Sequence, residues 1–98
     1  MKKDVALITG ASRGIGLAAA RQLAKDGYRV GIISTGPQER YPDAVAALKA
    51  DGAEFYWFSG DLGSSADRAR IAREAVQTLG EIRILVNNAG VAPKTRTD

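Results

Sequence analysis

Gly10, Gly14 and Gly16 enclose Ala11, Ser12, Arg13 and Ile15, and this seven-residue turn is the stretch best suited to chemistry. That chemistry is anion binding. An apolar, β-branched run, Val5 to Thr9, precedes the turn and reads as a buried strand. Leu17 to Ala24, rich in strong helix formers, follows it. Backbone N–H groups at the start of a helix lack intrahelical partners, and the helix dipole favours an anion there. The glycines turn the chain sharply, let a pyrophosphate approach the backbone, and let the helix sit close to the sheet. Without a ligand, the same pattern is an ordinary Gly-rich strand-to-helix connection.

The rest of the chain supplies the frame. Val5 to Thr9 is the first strand, and the first helix runs from about Gly14 to Asp26, with Ile15, Ala18, Ala19, Leu23 and Ala24 on one face. Gly27 stands at the C-cap position. Arg29 to Ser34 is the second strand, ended by Thr35-Gly36-Pro37, and Pro42 to about Ala50 is the second helix. Glu54 to Ser59 is the third strand. The third helix begins near Ser65 as N-cap, with Ile71, Ala72, Ala75, Val76 and Leu79 on one face and Gly80 ending it. Ile82 to Asn87 is the fourth strand. Alternating strands and helices of this size predict right-handed crossovers and an α/β parallel sheet. The strand order 3-2-1-4 puts the Gly-rich turn at the switch point where ligands bind in such sheets. Residues 1–98 thus read as part of one Rossmann-type, doubly wound dinucleotide-binding domain.

Composition narrows the function further. The 98 residues are 45% apolar and 26% charged, with a formal net charge of +3. That balance is ordinary for a globular domain and mildly suits an anionic ligand. No basic run or aromatic-interleaved patch points to nucleic acid. Cysteine and histidine are absent, which rules out disulfides, thiol chemistry, Cys/His zinc sites and His-based acid–base catalysis in this sequence. No stretch approaches transmembrane length, so no membrane partner is expected and a cytoplasmic location is the default.

The glycine spacing, G-x-x-x-G-x-G, departs from the G-x-G-x-x-G fingerprint. Thr9 to Gly16, Thr-Gly-Ala-Ser-Arg-Gly-Ile-Gly, resembles the cofactor turn of the short-chain dehydrogenase/reductase family. A second match follows the fourth strand, at Asn87-Asn88-Ala89-Gly90. The resemblance runs from Val5 to about Val91, and within the family the first turn looks most like that of bacterial 3-oxoacyl-acyl-carrier-protein reductases. It implies a nicotinamide dinucleotide held by Gly10 through Gly16, with Asn87, Ala89 and Gly90 bordering the adenosine-side ribose. Asn88 would tie the fourth strand to its neighbour. After the third strand, the resemblance puts Asp61 on the adenine amino group and Leu62 against the ring. An Asp in such a loop also serves as a turn or cap carboxylate.

The end of the second strand decides which dinucleotide. An acid there normally grips the adenosine ribose hydroxyls and selects NAD. This chain has Ser34 and Thr35, and no carboxylate between Asp26 and Glu39. Arg13 can make a bidentate contact to a 2′-phosphate, with Ser34 or Thr35 adding hydroxyls. In the family resembled, a basic residue at the Arg13 position with no acid after the second strand accompanies NADP(H) rather than NAD(H).

Family members transfer hydride using a Ser and a Tyr-x-x-x-Lys pair that lie beyond the fourth-strand motif. The tyrosines here, Tyr28, Tyr41 and Tyr56, are followed four residues later by Ile32, Val45 and Gly60. The resemblance therefore implies the cofactor half of an NADP(H)-dependent oxidoreductase, without the catalytic part and not active alone. The longer protein's substrate would be a small carbonyl or alcohol compound. A stand-alone nucleotide-binding module is the alternative. Ile84, Leu85 and Val86 on an edge strand predict self-association or a homo-oligomer through that edge.

Overall fold

The computed structural model describes residues 4–12 and 14–87; Arg13, Asn88, Ala89 and Gly90 fall outside the described residues. Four strands, β1 (Val5–Thr9), β2 (Arg29–Ser34), β3 (Phe55–Ser59) and β4 (Ile82–Asn87), alternate with α1 (Gly14–Lys25), α2 (Pro42–Ala50) and α3 (Ser65–Leu79). The sheet is parallel throughout and ordered β3-β2-β1-β4, as the alternation predicts. A short 3-10 turn over Gln38–Arg40, which the pattern did not signal, joins β2 to α2.

Every residue of β1 is buried, as befits a central strand covered on both faces. One face carries Ala6, Ile8, Val30, Ile32, Ala20 and Leu48, packed beneath α1 and α2. The other carries Val5, Leu7, Ile33 and Phe58 against Ile71, Ala75 and Leu79 of α3. Two helices thus cover one face and one helix the other, leaving Leu85 62% and Val76 54% exposed on the α3 side.

Three local expectations are corrected. The buried residues of α1 are Gly16 and Ala20, with Leu17, Leu23 and Ala24 packed beside them; Ile15 is 81% exposed and Ala18 is exposed. The smallest side chains face the sheet, so the helix lies close to it, and that turns Ile15 outward. On α3, Ala72 and Val76 are exposed while Ile71, Ala75 and Leu79 are buried. The N-cap of α3 is Ser64, one residue earlier than expected: its backbone is extended and its hydroxyl accepts the Asp67 N–H at 3.2 Å. That is the usual reach of a capping hydroxyl to the third helical residue. Arg29 lies at the opposite end of the sheet from the Gly-rich turn and donates from Nη2 to the Leu79 carbonyl at 2.7 Å, closing α3.

One ion pair ties α1 to the end of α2. Arg21 donates to both oxygens of Asp51, at 2.7 and 3.0 Å. The Arg21 hydrogen bond lowers the Asp51 pKa from the ordinary carboxylate value. A carboxylate depressed in the folded state adds stability above its unfolded pKa, about 4, and loses it as pH falls through the folded value. Thermal melts between pH 2 and 6 should therefore show Asp51→Asn closing on wild type as pH drops below about 4. A constant gap between the two proteins across that range would contradict the pair's role.

Candidate functional site

The site forms where β1, β2 and β3 end. Gly10 has φ of 66° and donates its N–H to the Ile33 carbonyl at 2.9 Å, which pins the turn to β2. Gly14 opens α1 with φ of 61°. A Cβ there would meet nothing within 4 Å, so the backbone angle, not crowding, is what asks for glycine. Ala11 is fully buried under the turn and Ser12 is half-buried.

A cleft of about 290 Å³ brings together Gly10 and Ser12, Ser34 and Thr35, and Asp61 and Leu62. Three separate segments of the sequence reading thus share one wall-to-wall space. Ser34 is buried and Thr35 exposed. Among the described residues lining this cleft, Asp61 is the only carboxylate. Its Oδ1 accepts the Gly63 N–H at 2.8 Å, closing a local Asx turn, while its own N–H donates to Asp67 Oδ2 at 2.8 Å. The β3–α3 loop is further held by Arg70, whose Nη2 donates to the Ser59 carbonyl at 3.0 Å. One Asp61 oxygen thus serves the turn, and the other accepts no hydrogen bond among the described residues.

Asn87 stands apart from that group. It ends β4 opposite Thr9 and lines a second, more apolar cleft of about 500 Å³ with Leu7, Ile33 and Leu85. Leu62 borders both clefts. Asn87 Oδ1 accepts the Thr9 hydroxyl at 3.2 Å, so the two motifs are joined across β1 and β4. Ile15 stands exposed at the start of α1 and borders neither cleft. Gly60 and Gly63 also line the smaller cleft; sequence reasoning did not single them out, although the Gly60-Asp61-Leu62-Gly63 run was a turn signal in plain view.

Comparison with known proteins bears directly on this arrangement. A family model for the short chain dehydrogenases matches residues 4–98. The chain belongs to the short-chain dehydrogenase family. It is 37% identical over 86 residues to the 3-oxoacyl-[acyl-carrier-protein] reductase FabG of Staphylococcus epidermidis, covering 88% of this chain and 35% of that protein. Against dehydrogenase/reductase SDR family member 4 of Oryctolagus cuniculus it is 44% identical over 93 residues, covering 95% of this chain and 35% of that one. Among solved short-chain dehydrogenase folds, a variant of actinorhodin polyketide ketoreductase with NADPH superposes with a TM-score of 0.81 at 34% identity, covering 90% of this chain and 34% of that one. The chain therefore spans about a third of the length of these family members. The parallel β3-β2-β1-β4 sheet is the Rossmann arrangement of the family, and its members are oxidoreductases that use nicotinamide dinucleotides.

Proposed function

We propose that this chain is the NADP(H)-binding part of a short-chain dehydrogenase that interconverts a carbonyl and an alcohol. The observation that carries the reading is the smaller cleft, where the Gly10 turn faces the hydroxyl-bearing end of β2 and no carboxylate stands at Ser34 or Thr35. The residues present fit the cofactor. Free N–H groups at the α1 N-terminus suit the pyrophosphate, and Ser34, Thr35 and Arg13 suit an adenosine 2′-phosphate. Asp61 has a carboxylate oxygen to offer an exocyclic amine, and Leu62 an apolar wall for the ring. Asn87, Ala89 and Gly90 are assigned to the ribose, and exposed Ile15 to the apolar cover at the turn. When bound, the dinucleotide supplies or accepts the hydride. The chain's own residues bind and orient it, and Thr9 holds the Asn87 side chain in place.

Removing the guanidinium tests the cofactor reading. Arg13→Ala should weaken NADPH about tenfold or more and leave NADH within about twofold, because only the former carries the phosphate it would clasp. Equilibrium titration of both dinucleotides reads this out, and an equal loss of both would sink the assignment.

We also assign self-association to the β4 edge, in a cytoplasmic setting. Among the described residues β4 pairs only with β1, and Leu85 is exposed along it. An unpaired, apolar edge recruits a second strand. Light scattering should show mass rising with concentration, and Leu85→Lys should suppress the rise. A wild-type monomer at every concentration contradicts this.

A further inference from the structure

The loop that follows β2 is clamped by a side chain from the neighbouring strand. Trp57, on β3, donates its indole N–H to the Gly36 carbonyl at 3.0 Å. Its ring stacks on Tyr41, with centroids 5.6 Å apart and planes 25° from parallel. Tyr41 in turn lies against Gly36: a Cβ on that residue would sit 3.1 Å from the Tyr41 hydroxyl and 3.2 Å from its ring carbon Cε2. The Gly36 N–H points back to Ser34 Oγ at 3.4 Å. Ser34 is itself held, since its carbonyl accepts the Gly60 N–H at 2.9 Å.

Thr35 is exposed, and both of its neighbours are fixed by these contacts. Its backbone is therefore held from both sides where it lines the cleft. We propose that Trp57 is a positioning residue for 2′-phosphate recognition, acting through the Gly36 carbonyl to hold Ser34 and Thr35 ready for the anion. This rests on the cofactor reading above and adds to it a residue outside the cleft. Its physical basis is preorganisation: a loop already held in its binding geometry loses less freedom when the ligand arrives.

Two probes isolate the effect, adenosine 2′,5′-bisphosphate, which carries the discriminating phosphate, and ADP, which lacks it. Trp57→Phe keeps an aromatic ring over Tyr41 and removes the N–H donor. Calorimetry should show bisphosphate binding weakened by about three- to tenfold, the range expected for one hydrogen bond, with ADP changed less than about twofold. Equal weakening of both probes would mark a merely structural role and overturn the proposal, as would no change in either. Trp57 is also the sole tryptophan of the chain, so wild-type emission gives a second test that stands even if the variant does not fold. Emission should shift on saturation with bisphosphate and stay constant with ADP. Unshifted emission at saturating bisphosphate overturns the proposal. If wild type binds neither probe, the cofactor reading fails and this inference falls with it; if it binds the bisphosphate and Trp57 does not respond, this inference alone fails.

Discussion

Thr35→Asp is expected to weaken NADPH binding by about 100-fold while leaving NADH within about threefold of wild type. Thr35 is exposed at the end of β2 and lines the cleft opposite the Gly10 turn. A carboxylate there would face the 2′-phosphate of NADPH across a short gap, and close like charges at a binding surface cost several kcal/mol. The same carboxylate can accept hydrogen bonds from the two ribose hydroxyls of NADH, the arrangement that selects NAD in dinucleotide folds. Paired titrations of both dinucleotides measure the change in preference. A variant that loses both cofactors equally would show that the end of β2 does not read the phosphate. The neighbouring Ser34 is a poorer place for the experiment because it is buried and its oxygen already accepts the Gly36 N–H.

The largest effect on stability is expected at the centre of the sheet. Ile8 is fully buried on β1, packed among Ala6, Val30, Ile32 and Leu48 beneath α1 and α2. Ile8→Ala removes buried methyl groups and leaves a void, a change that costs about 2–5 kcal/mol in well-packed cores. Small domains have only about 5–15 kcal/mol in total, so the variant should unfold at much lower urea concentration. Val76→Ala is the control: Val76 is 54% exposed on α3, away from the β4 edge, and surface changes of that kind stay within about 0.5 kcal/mol. An Ile8→Ala loss below about 1 kcal/mol would mean that β1 is not packed from both sides. Because Ile8 lies two residues before Gly10, this variant should also weaken cofactor binding, through the position of the turn.

Much of this was legible in the residues. The continuous apolar run of β1, the helix formers after Gly16 and the glycines closing each helix fixed the alternation, and strand order followed from the handedness of crossovers. The Gly10, Ser34 and Asp61 segments converge because each lies at the C-terminal end of a parallel strand, which needs no knowledge of side-chain packing. What escaped the sequence was rotational phase and contact. Ile15 looked like a core residue by type, yet the helix turns its smallest residues, Gly16 and Ala20, to the sheet. Ser64 and Ser65 are both acceptable caps, and only backbone geometry separates them. The joining of Thr9 to Asn87, and of Trp57 to Gly36, links residues 78 and 21 positions apart. Side-chain contacts of that range leave no periodicity to read.

The measurement that bears most directly on the account is the dissociation constant of the wild-type chain for NADPH beside that for NADH, under identical salt and pH. A Ser34-Thr35 end of β2 with no acid, together with Arg13 in the Gly-rich turn of the sequence, predicts NADPH the tighter by about tenfold or more. Equal affinities, or NADH the tighter, would contradict the reading of the cleft as a 2′-phosphate site.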